Sequence, residues 1–133
     1  MDLAEPIAVE LTADERRLLT AGLIEWGGPA RCTDAFATAM GFADVEDLFL
    51  QSKRLVPALR KGEPLSRRDW TRALLATEVV FASDVVGSGS DWQATVGWSD
   101  EVTIHTLRQL QRKLRRAHAL ALDADGRLSQ LGD

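Results

Sequence analysis

The chain has 133 residues, 45% of them hydrophobic and 27% charged, and a formal net charge of −4. That is enough apolar material for one core, with too much hydrophobicity and too little net charge for a disordered chain. No run approaches a membrane span, the acidic start "MDLAEPIAVE" lacks a signal-peptide pattern, and the lone Cys32 excludes an internal disulfide and a cysteine-built zinc site.

The expected location is therefore the cytoplasm, with no membrane partner. The sixteen basic residues are thirteen arginines and three lysines, and Ala and Leu abound, which points to a GC-rich bacterial genome. Charge is uneven. Residues 1–50 hold ten acids and three bases, and residues 51–133 hold ten acids and thirteen bases. The halves can attract each other, or each can face a partner of opposite sign.

The extended "PIAVEL" near the start has no second strand in view. The first helix opens at Thr12 with Glu15 in the capping-box position, carries Leu18, Leu19, Gly22, Leu23 and Trp26 on one face, and ends at Gly27-Gly28-Pro29. A second, short helix follows Thr33 and stops at Gly41, burying Phe36, Ala37 and Met40. The third starts at Asp44, with Asp47 in the capping-box position. It buries Val45, Leu48, Phe49, Ser52, Leu55, Val56 and Leu59, and must bend or restart at Pro57.

The fourth helix is capped by Ser66 with Asp69 and predicted to run to about Val86, with Gly87 just past its end. It is apolar nearly all round, with only Arg72, Ala76 and Ser83 left for water, so it reads as the centre of the fold. The fifth begins at Ser99 and extends to about Leu122, burying Thr103, Leu107, Leu110, Leu114, Ala117 and Ala121. His118 falls at the edge of that stripe, as a packed residue. The expected architecture is an all-α, single-domain bundle of about five helices over residues 1–122, the fourth central, with a polar tail at 123–133.

Two carboxylates, Glu78 and Asp84, fall on the apolar fourth helix, where an ion without a partner is costly. Pairing with arginines or with backbone N–H groups is the structural reading. A shifted carboxylate pair in a cleft, with Asp91 and His105, is the catalytic one. The two lie about 240° apart on the helix wheel, which disfavours a dyad. With two histidines and no His-x-x-x-His or Glu-x-x-His, no metal set is readable.

The connection "GSGSDWQATVGW" is long for a bundle and matches neither a phosphate loop nor a serine-hydrolase elbow. Three readings fit its Trp92 and Trp98. They plug the end of the bundle, they stand out as anchors for a partner, or they line a small-ligand pocket. "TDAFATAMGFADVEDLFLQSKRL" resembles a helix-turn-helix in outline, and its Met-Gly-Phe turn resembles that of ubiquitin-associated domains. Either resemblance covers only about twenty residues. Asp44, Glu46 and Asp47 would meet DNA phosphates with like charge, so the segment reads as a packing hairpin. On the fifth helix Arg108, Arg112, Arg115 and Arg116 form a basic ridge, either solvated or able to line a phosphate backbone.

With no cofactor motif, metal set or nucleophile-base pair readable, the balance leans away from an enzyme, and no catalytic residue, cofactor or metal is assigned. The leading expectation is a protein-binding module: an acidic inhibitor, of the immunity or antitoxin type, for a basic partner such as a toxin. Its candidate contacts are Trp92, Trp98, Asp91 and Asp100, with Asp44, Glu46 and Asp47 as a second patch. The first alternative is a nucleic-acid-binding regulator using Arg108, Arg112, Arg115 and Arg116. The second is a small helical enzyme using Glu78, Asp84, Asp91 or His105.

Overall fold

Helix α1 (Ala13–Ile24) starts where its capping box places it: Thr12 Oγ1 accepts from the Glu15 N–H at 3.1 Å, and Glu15 returns a bond to the Thr12 N–H at 2.8 Å. The computed structural model describes residues 2–28 and 30–121. The expected polar tail at 123–133 lies outside the described residues. After α1 a 3₁₀ turn (Glu25–Gly27) leads to α2 (Asp34–Ala39), capped by Thr33, and α3 (Val45–Lys61), capped by Asp44. Pro57 does not divide α3, because its position is exposed and water can take the carbonyl it leaves unpaired.

Two short strands precede α1 and α4. β1 (Pro6–Ile7) pairs antiparallel with β2 (Leu65–Ser66), Ile7 opposite Leu65, which supplies the strand partner the sequence did not reveal. Helix α4 (Arg67–Ala82) follows, capped by Ser66. The buried Trp70 ring donates from Nε1 to the Ile7 carbonyl at 3.0 Å and holds β1 in place.

The fold is an all-α bundle, as expected, with a shared centre. α1 packs against α3, α4 and α6 (Asp100–Arg116), and α4 packs against α1 and α6. The approach of α1 to α4 depends on Gly22, since a Cβ there would lie 2.1 Å from Thr77 Oγ1 and 2.8 Å from Thr77 Cα. The side of α4 nearest water is Leu75, Glu78, Val79 and Ala82, not the strip expected around Ala76. Ala76 is fully buried, and its carbonyl accepts from Trp26 Nε1 at 3.1 Å.

α4 stops at Ala82, short of Val86, where Ser83 turns to an extended backbone. The chain then folds back over the helix end. The Ser88 N–H donates to the Val80 carbonyl at 2.7 Å, and Gly87 sits so close that a Cβ would lie 2.5 Å from that oxygen. Gly87 is thus a close-approach glycine, not a helix cap. A 3₁₀ turn (Gly89–Asp91) and a short helix, α5 (Trp92–Val96), occupy what reads as loop in the sequence.

α6 also ends early, at Arg116. His118 adopts φ of 53°, its N–H reaching Arg115 O at 3.1 Å while the Ala119 N–H reaches Leu114 O at 3.0 Å. That reverse turn ends the helix, and His118 is exposed and not packed. Ala119 and Ala121 are buried by the returning chain, where the Ala121 N–H donates to Thr71 Oγ1 at 2.8 Å. No helix among the described residues is long and apolar enough to cross a membrane.

Candidate functional site

The two loop tryptophans belong to the core. Trp92 is fully enclosed. Its Nε1 donates to Thr103 Oγ1 at 2.8 Å, and its ring meets Phe81 edge-to-face with centroids 5.4 Å apart. Trp98 is buried under the Arg17 guanidinium, 5.0 Å from the ring centroid. Neither ring can anchor a partner on this surface, because both are buried in the bundle. The partner-contact expectation for Trp92 and Trp98 is corrected accordingly.

What holds this segment is a carboxylate the sequence reading passed over. Glu25 is buried, and its Oε1 accepts from the Ser88 hydroxyl at 2.7 Å and the Thr95 hydroxyl at 2.6 Å. Its position, seven residues after the inward-facing Leu18, marks it as inward on the wheel of α1. The donors come from sixty residues downstream and more, which spacing cannot reveal. Glu15 is likewise buried. Burial pushes it up, but Lys113 Nζ at 2.5 Å and the Thr12 groups outweigh that and hold it below the usual carboxylate range. Asp69 follows the same pattern: burial opposes ionisation, and the Arg54 fork (2.8 Å to each oxygen) with Arg72 overcomes it.

The expected buried pair is not one. Asp84 is exposed, because α4 has already ended. Its Oδ1 accepts from the Ser90 hydroxyl at 2.6 Å and the Ser90 N–H at 2.8 Å, which lower its pKa. It shares a shallow surface depression with Asp100, while Asp91 stands exposed at the end of the 3₁₀ turn. His105 is exposed on α6 and bonds Gln109, apart from these carboxylates, so the residues of the enzyme alternative do not converge.

The acidic patch at the start of α3 is partly structural. Asp47 accepts from the Ala43 N–H at 2.9 Å and from Gln51 at 3.1 Å, and these bonds outweigh burial in lowering its pKa. Asp44 caps the helix, yet it and Glu46 remain exposed. Asp34 joins them, its Oδ1 accepting from the Val45 N–H at 3.0 Å. Phe36 and Phe49, expected inside, are 41% and 40% exposed, and Leu50 is 64% exposed. The α2–α3 corner therefore presents large apolar side chains among carboxylates.

A second arrangement joins two features that the sequence showed separately. Glu78 and three arginines of the ridge, Arg108, Arg112 and Arg115, line one cavity of about 400 Å³ between α4 and α6. Leu74, Leu75 and Leu120 supply its apolar wall. Gln111 bridges the polar side: it donates to Glu78 Oε2 at 2.6 Å and accepts from Arg108 Nη1 at 2.7 Å. Burial pushes the Glu78 carboxyl above the usual range, against the pull of Gln111 and Arg108. Arg116 lines a neighbouring groove with Glu15 and Lys113, and Arg112 borders both. Among the described residues no three His, Cys, Asp or Glu side chains gather as metal ligands. The chain matches no family model, no curated protein and no solved structure.

Proposed function

We propose that the chain is a protein-binding module, an inhibitor of the immunity or antitoxin type that docks a basic partner through its α2–α3 corner. The observation that carries this reading is the exposure of Phe36 on α2 and of Phe49 and Leu50 on α3, with Asp34, Asp44 and Glu46 exposed at the starts of the same two helices. On α3, Glu46 and Leu50 are one turn apart on the same face, so a single contact surface offers both charge and apolar area. Isolated exposed apolar residues are ordinary, but large apolar and acidic side chains exposed on the same two short helix starts match the composition of a docking patch. Carboxylates speed and orient the encounter with a basic surface, while the phenylalanine and leucine side chains supply the area buried on contact. The buried Trp92 and Trp98 have no part in it, and Asp91 and Asp100 can form only a secondary acidic contact.

The test is capture of a partner from native lysate by the wild-type chain, by Leu50→Glu and by the double variant Asp44→Asn, Glu46→Gln. The expected partner is basic, its capture weakens as salt rises, and both variants lose it with an unchanged helical spectrum. A partner captured equally well by both variants removes the corner from the interface.

A further inference from the structure

The cavity between α4 and α6 has three chemically distinct parts, and each asks for a different group on a ligand. Arg112 and Arg115 are exposed at its rim, and among the described residues neither has an ion-pair or hydrogen-bond partner. Their planar, multi-donor guanidinium groups fit a carboxylate. Leu74, Leu75 and Leu120 form a wall suited to a short aliphatic chain. Glu78 lines the same cavity, half-buried, with one oxygen engaged by the Gln111 amide. A bare fatty anion would meet that carboxyl group as a like charge. A ligand with a hydroxyl near its acid would donate a hydrogen bond to it instead.

We propose that this cavity is a binding site for a small hydroxylated amphiphilic carboxylate, of the 3-hydroxyalkanoate class. Arg112 and Arg115 hold the carboxylate, Glu78 accepts from the hydroxyl, and the three leucines cover the chain. Its volume of about 400 Å³ is at the lower end of small-molecule pockets, which favours a chain of medium length. The inference is independent of the α2–α3 corner and of any protein partner.

The experiment is calorimetric titration of the full chain with 3-hydroxyoctanoate, octanoate and octanol at fixed neutral pH and salt. Saturable one-to-one binding is expected for 3-hydroxyoctanoate, about tenfold weaker for octanoate, and none for octanol. The tenfold factor is of the size that one hydrogen bond contributes. The double variant Arg112→Gln, Arg115→Gln should weaken both anions at least tenfold. Glu78→Leu should abolish the preference for the hydroxy acid without weakening octanoate. Should Glu78→Leu fold poorly, Glu78→Gln serves, with octanoate gaining and the preference shrinking. Octanol binding as well as octanoate, a preference unchanged in the Glu78 variants, or binding indifferent to the arginines each overturns the assignment. So does an oligonucleotide that binds through these arginines while 3-hydroxyoctanoate does not, which would give the face to nucleic acid.

Discussion

Replacing Trp92 by alanine separates the two roles that a loop tryptophan can have. The ring has no exposed surface, its Nε1 is bonded to Thr103 Oγ1 at 2.8 Å, and it packs against Phe81 at an interplanar angle of 76°. Removing a fully buried indole costs about 3–5 kcal/mol in transfer and cavity terms. The aromatic pair and the hydrogen bond place this site at the upper end of that range. A loss of about 4 kcal/mol in a domain of this length lowers the melting temperature by about 14 °C. It is also a large part of the about 5–15 kcal/mol that holds a typical domain together. Urea denaturation followed by far-ultraviolet circular dichroism reads the change. Trp92→Phe should lose about half as much, since it keeps a ring for Phe81 but leaves Thr103 without its donor. A Trp92→Ala protein within about 1 kcal/mol of wild type that has nonetheless lost its partner would refute the packing argument and return the indole to the surface.

Gly22→Ala should destabilise the fold by about 3 kcal/mol, because the added methyl meets both the side chain and the backbone of Thr77. Thr77→Ala should rescue little of that loss, as the 2.8 Å approach to Thr77 Cα remains. Thermal melts of the two single variants and the double variant check this. The Asp69 carboxyl is held below the ordinary aspartate range, so the unfolded chain binds its proton first as pH falls. Its contribution is complete above the ordinary range and is lost as pH drops through the lowered folded value. Asp69→Asn should cost about 2–3 kcal/mol at neutral pH, discounted because Arg54 is half in water, and should flatten the acid limb of a stability-against-pH curve.

Local chemistry was legible where it acts within a few residues. The Thr12, Thr33, Asp44, Ser66 and Ser99 caps all start helices as read, because a capping side chain and its N–H lie three residues apart. The ends of α4 and α6 were read too far along. Past Ser83 the chain folds back so that the Ser88 N–H meets Val80 O, and at His118 the carbonyl accepts from Arg67 Nε at 2.7 Å across the fold. The wheel of α4 placed Asp84 among apolar residues only because the helix was extended past its true end. Glu78 and the arginines of α6 were each visible. That they share a cavity depends on the crossing of two helices, which no single periodicity contains.

The Glu25 cluster has a consequence for how the molecule forms. Its carboxylate sits on the first helical segment, and the two hydroxyls that solvate it arrive on residues 88 and 95. A fragment ending before residue 83 would lack both hydroxyls and leave the Glu25 side chain to water. The site is complete only when the end of α1 and residues 88–95 are both in place, so it ties two segments far apart in the chain to one another.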